Sequence, residues 1–390
     1  NNNKVDYVFG IYNSNYEETT DAAGYVFGGS ATGLSTGYDI VSKSLYGELA
    51  YNFKNSSTLS VGFRHEARDI DYFDFDNPSA SFYLEGNWNT SYKVAYEMHP
   101  TSNLHWYIYA AEGYHPAGVN QNPYLDMEDK TYDDEIYIDV TTGIRWYTDN
   151  IKLSTSLFYL EHDGHIFETS EQLDPSNPNA FAFFKQNADS GYEYGSETSG
   201  EFKLNDRFSM GLSLGLMSSE IEFGDHAEHG DEHGDEHGDE HGDEHGEDDH
   251  DEDHDDHGDD HGDDHDDHGG HEGHAEHGQK AHAPNWNYSL TFNYNFTEDS
   301  SLMVEIAGKD AFIFDSQNDS YESDPYHLLN AYYSHSFNKL RLGVYAKNIL
   351  DESYADRGFI FGLEPPHFHE KLYKSFGPPR EIGMSLTYSF

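Results

Sequence analysis

The chain has 390 residues, no cysteine and a formal net charge of −53, from 21 basic against 74 acidic side chains. That imbalance excludes a nucleic-acid partner, because phosphates are gripped by clustered Lys and Arg. Tyr (31) and Phe (25) are abundant, yet no apolar run is long enough for a transmembrane helix; strands remain open as membrane-crossing elements, since their alternation keeps mean hydropathy low.

Period-two alternation marks fourteen segments. In chain order the clearest are Leu59-Val61-Phe63, Leu104-Trp106-Ile108-Ala110, Ile136-Ile138-Val140 continuing to Ile144 and Trp146, and Leu153-Thr155-Leu157-Tyr159. Phe208-Met210-Leu212-Leu214-Leu216 and Trp286-Tyr288-Leu290-Phe292-Tyr294-Phe296 follow, the latter with Asn285, Asn287, Ser289, Thr291, Asn293 and Asn295 on its other face. Short connections near 54–57, 100–103, 148–150, 205–206, 297–300 and 338–339 take turns with long ones at 15–38, 69–90, 114–134, 161–190, 224–283, 315–324 and 351–379. Such alternation, with Trp106, Trp146, Tyr147, Trp286 and Tyr288 near strand ends, predicts an all-β fold: a transmembrane antiparallel β-barrel occupying 1–390. A soluble sandwich would alternate as well, but nothing in it requires aromatic ends and one-sided long loops.

Between 225 and 282 the chain repeats His-Gly-Asp-Glu and its variants, with twenty-six Asp and Glu and Lys280 as the only base. Sixteen of the twenty-six histidines lie there: His226, His229, His233, His237, His241, His245, His250, His254, His257, His261, His265, His268, His271, His274, His277 and His282. Glycine at every fourth position from Gly230 to Gly246 argues against a helix. The segment reads as a disordered, self-repelling extracellular loop offering many interchangeable sites to zinc, copper or nickel through its imidazoles. An acidic solvating loop is the plainer reading, but Asp and Glu alone would serve that purpose.

An ordered site needs fixed ligands. His162 and His165 lie where a strand leaves the membrane, His367, His369 and Glu370 in the last long loop, and His115 in an earlier one; the expectation is that they converge on one pocket. His65, His99, His105, His327 and His335 fall on strands or turns and read as structural. Imidazoles titrating near 6.5 predict that capture weakens as pH falls through roughly 6.

Ile382, Met384, Leu386, Tyr388 and Phe390 alternate to a terminal aromatic, which resembles the assembly signal of bacterial outer-membrane proteins. Asn348-Ile349-Leu350-Asp351-Glu352-Ser353-Tyr354, then Gly377-Pro378-Pro379-Arg380 and the last strand, resemble the end of a TonB-dependent receptor. Gly113-Tyr114-His115-Pro116-Ala117-Gly118-Val119-Asn120 and the stretch 132–143 resemble two further motifs of that family, the second opening a strand. The resemblance implies a bacterial outer-membrane location, the last fourteen strands of a 22-stranded barrel, and coupling to the TonB system through a plug domain not present in this chain. A free-standing fourteen-stranded diffusion channel is the alternative.

Joined to the His-rich insertion, the resemblance implies uptake of a transition metal, zinc favoured, or of a metal complex, with lipid as the surrounding partner and no tightly bound cofactor. The alternatives are a ferric siderophore receptor with an accessory loop and a surface barrel that buffers metal without transport. No characteristic nucleophile motif is present, so the chain reads as no enzyme.

Overall fold

The structure, a computed structural model, describes residues 4–27, 30–122, 125–172, 181–223, 277–361 and 371–390. Fourteen strands form one continuous antiparallel sheet: β1 (Val5–Phe27), β2 (Ser30–Asn52), β3 (Ser57–Asp74), β4 (Asn89–Thr101), β5 (Leu104–His115), β6 (Glu135–Tyr147), β7 (Ile151–Asp163), β8 (Ser190–Lys203), β9 (Phe208–Glu222), β10 (Trp286–Thr297), β11 (Ser300–Lys309), β12 (Tyr326–Phe337), β13 (Leu340–Lys347) and β14 (Glu381–Tyr388). Each pairs with its neighbours in sequence, so the sheet is a simple meander. Among the described residues the only helical piece is a 3-10 turn at Pro78–Ala80.

The alternation seen in the sequence sorts onto two faces. On β6, Ile136, Ile138, Val140, Ile144 and Trp146 are exposed large hydrophobics, while Glu135, Tyr137, Asp139, Thr141, Gly143 and Arg145 share the other face. On β7, Leu157 (59 % exposed) and Tyr159 face out, opposite Leu160 and His162. An apolar outer face and a polar inner one invert a water-soluble protein and suit lipid outside and a wet lumen inside. Buried apolar clusters are correspondingly small and sit in the connections: Phe312, Phe314 and Ala355 in one, Ala188, Ile221 and Phe223 in another.

Short turns lie on one side and long connections on the other. Local side-chain bonds set the turns: Asn205 Oδ1 accepts from the amides of Arg207 and Phe208, both at 2.9 Å, and Thr148 Oγ1 accepts from Asn150 and Ile151. The β12–β13 hairpin closes through two residues, with Asn338 at φ 55, a left-handed conformation that Asn tolerates.

The first connection departs from expectation. Residues 15–38, read as a long loop, lie instead largely within β1 and β2, two 23-residue strands paired in register from Val5↔Tyr51 to Phe27↔Ser30 with one irregularity at Ala22/Tyr25. The polar composition that suggested a loop is accommodated by pairing across the ribbon, where Glu18 faces Tyr38 and accepts hydrogen bonds from Tyr38 (2.9 Å) and Tyr16 (2.6 Å).

The expected tether also ends earlier than 282. His277–Gly278 pairs with Glu222 and Ile221 of β9, and the His282 amide donates to Ile313 O at 2.9 Å, so this stem is part of the sheet's long-connection side. Its backbone amides find partners there, which removes the reason for it to stay solvated.

Candidate metal centre

Three neighbouring strands carry the site on their inner faces. Glu135 opens β6 and His162 is the penultimate residue of β7; the register His162↔Tyr137 places Glu135 diagonally beside His162. After Asp163 the chain turns at Gly164, whose φ of +67° only glycine adopts without strain, and His165 swings back toward His162. The two imidazoles meet edge to face at 5.0 Å between centroids.

Glu135 Oε1 is bonded to both rings, 2.6 Å from His162 Nδ1 and 2.8 Å from His165 Nδ1. Donor atoms of Glu135, His162 and His165 all lie within 4.8 Å of one another, the arrangement two imidazoles and a carboxylate adopt around one ion. Glu193 on β8 completes the wall, its Oε1 3.6 Å from His162 Nε2 and 2.5 Å from Lys280 Nζ. Glu135 and His162 are buried. Among the described residues, the enclosed His162 Nε2 has no hydrogen-bond partner.

Asn187 holds the turn in place from outside. Its Nδ2 donates to Gly164 O (2.8 Å) and Asp133 O (3.2 Å), and its Oδ1 accepts from the Asp133 amide (2.8 Å), tying the entry of β6 to the exit of β7. The Ala188 amide donates to His165 O at 2.7 Å.

The site stands just beyond the lipid band. Tyr159 faces out on β7 opposite Tyr194 of β8, whose ring stacks near Tyr192, and such an aromatic girdle marks an interface. His162 lies three residues further along the strand. Burial disfavours the His162 cation, but the hydrogen bond to Glu135 and the negative charge of Glu135 and Glu193 outweigh it and raise its pKa to about 9. Burial likewise opposes the Glu135 carboxylate, and its two histidines overcome that, holding it well below the usual carboxylate range.

His162 and His165 are therefore brought together as expected. His115 faces Glu135 in the β5–β6 register, but its side chain is exposed and outside the donor group. His367, His369, Glu370 and the insertion histidines from His226 to His274 lie outside the described residues; His277 is on the stem. The strand histidines are structural: His65 bonds Thr90 at 2.7 Å and stacks on Trp88, His327 stacks on Trp286, His99 on His105, and His335 packs edge-on against Phe337. Glu135, Glu193 and Asn187 carried no signal of their own in the sequence, and Lys280 stood out only as the insertion's single base. Glu135 did fall inside the motif at 132–143, where it read only as a strand opener.

The sequence profile of the "TonB dependent receptor-like, beta-barrel" family matches residues 1–349. The chain belongs to the TonB-dependent receptors. These are transporters of the bacterial outer membrane rather than enzymes. Solved structures agree on the fold: the ferric yersiniabactin uptake receptor FyuA from Yersinia pestis superposes with a TM-score of 0.64 at 16 % identity, covering 100 % of this chain and 52 % of that one. The copper transporter OprC gives 0.66 at 12 %, covering 100 % and 55 %, and the ferric citrate transporter FecA 0.63 at 15 %, covering 100 % and 52 %. This chain thus spans about half the length of the receptors it resembles.

Proposed function

We propose that the receptor takes up a transition metal ion, zinc favoured, and that His162 and His165, both oriented by Glu135, form a transit site for it at the long-connection end of the barrel wall. The observation that supports this is the joint one: a two-His, one-carboxylate donor set within 4.8 Å, with one His162 nitrogen buried and unbonded. The insertion at 225–276 gathers cations, and the wall site receives them with fixed geometry. Energy comes from the TonB system through a plug elsewhere in the full-length receptor.

A metal chelate is the second reading, and one feature favours it. Tyr12, Tyr16, Tyr38, Tyr46, Arg64 and Arg68 line an inner-face cavity of about 690 Å³, large enough for an anionic complex and rich in groups that bind one.

The test is zinc uptake by cells carrying the full-length receptor, as parent, as His162→Ala, and as Arg64→Ala with Arg68→Ala. Loss of zinc accumulation in the first variant and not the second supports metal-ion uptake. The opposite pattern, with loss of a ferric chelate, gives the site to the chelate.

A further inference from the structure

We propose that Glu193 is a metal ligand held in waiting, and that Lys280 is a built-in counter-cation which the arriving metal ion ejects. This rests on the metal-uptake reading above and names the step by which the site is filled.

The exchange centres on His162. Its Nδ1 is committed to Glu135, leaving Nε2 as the nitrogen free for a metal. A carboxylate on one imidazole nitrogen, with the other turned to the ion, is the arrangement that orients metal-binding histidines. Nε2 faces Glu193 Oε1 across 3.6 Å, too far for a hydrogen bond. Two donors on one tetrahedral ion, each bonded at about 2.0–2.1 Å, stand roughly 3.4 Å apart. The gap between His162 Nε2 and Glu193 therefore matches an ion's coordination edge more closely than a hydrogen bond.

Glu193 is not idle meanwhile. Lys280 Nζ sits 2.5 Å from the same Oε1 that faces His162. An ammonium neutralises the carboxylate but cannot coordinate to it, whereas a divalent ion brings twice the charge and bonds His162 as well. Two carboxylates, Glu135 and Glu193, also balance a divalent ion's charge. The exchange replaces a single contact between Lys280 and Glu193 with a chelate.

Lys280 also occupies a telling position. It is the only base between 225 and 282, and it lies two residues beyond the stem strand His277–Gly278. Its amide donates to Ser219 Oγ at 3.1 Å on β9, and the next amide, of Ala281, to Ser316 Oγ at 2.9 Å. Ejecting the Lys280 side chain removes one of the ties that fix the insertion's end to the wall.

The experiment uses the full-length receptor lacking residues 225–274, so that zinc titration reads the wall site without the insertion's imidazoles. Lys280→Met is expected to lower the zinc Kd by about tenfold, Glu193→Gln to raise it, and the two combined to show no gain from the lysine change. Lys280→Arg, which restores a cation, should return the affinity toward the parent's. In the intact receptor, zinc should speed tryptic cleavage after Lys280 by freeing its side chain. Should Lys280→Met leave zinc affinity unchanged or weaker while His162→Ala abolishes binding, the exchange is overturned and the metal centre stands. If His162→Ala itself leaves zinc affinity intact, both fall together.

Discussion

At the scale of single residues, proton and metal compete for one imidazole. Because the His162 pKa is raised to about 9, the ring is charged at neutral pH and zinc must displace its proton. Apparent zinc affinity at the wall site should climb about tenfold per pH unit toward pH 9 and level off above it; calorimetry across pH in the receptor lacking 225–274 measures this, and a flat profile contradicts it. That window lies well above the fall near pH 6 expected for free imidazoles, because two carboxylates face this one. Without metal the signs run otherwise. The raised His162 pKa stabilises the fold below about 6.5 and is lost as pH rises through 9, while the depressed Glu135 pKa stabilises above about 4.5 and is lost as pH falls, so the pair contributes most between. Asn187 touches no donor atom yet fixes the turn, so Asn187→Ala should weaken zinc binding about 10–100-fold with the overall fold retained by circular dichroism. The histidines were legible in the sequence, through Glu161-His162-Asp163-Gly164-His165. Their carboxylates were not, for two among 74 acidic residues are singled out only by a cross-strand register that no local pattern specifies.

At the scale of elements, the family motifs turn out to be fastenings. Asn348, at φ 46 and buried, sends Nδ2 to Glu352 O (2.8 Å) and Pro378 O (3.1 Å) and accepts from the Glu352 amide (2.9 Å). Asp351 accepts from the Arg380 amide at 3.0 Å, so the two halves of the motif are stitched across the last long connection where β13 hands over to β14. Asn120 does the same higher up, bonding Asp129 O and Lys185 O and accepting from the Lys185 amide. Replacing Asn348 by Ala removes three side-chain bonds and leaves a strained φ, a loss of about 2–4 kcal/mol. Denaturant unfolding in detergent checks this, and a change under about 1 kcal/mol would refute it. Strand positions and the turn-taking of connections were readable because the two faces meet different media. The β1–β2 ribbon was not, since from Asn15 to Asp21 and from Ser35 to Asp39 polar residues fall on both faces and the alternation fades.

At the scale of the whole molecule, the proposed function divides the work of concentration and placement between the insertion and the wall site. Removing 225–276 from the full-length receptor should raise the external zinc concentration for half-maximal uptake and leave uptake at saturating zinc close to the parent's. His162→Ala should depress uptake at every concentration. Equal uptake with and without the insertion at limiting zinc would deny it a role in capture.

The wall site draws residues 135, 162, 165 and 193 from three strands and the turn that follows one of them, whereas the insertion's imidazoles sit every few residues along one stretch. On the proposed function, an unfolded chain retains the insertion's ability to bind zinc and loses the wall's. Ligand held equally by both states shifts no equilibrium, while ligand confined to the native state adds about 2.7 kcal/mol at a hundredfold excess over Kd. Thermal or denaturant protection by zinc would thus be blind to the abundant sponge and report the scarce site alone, even in the unmodified receptor.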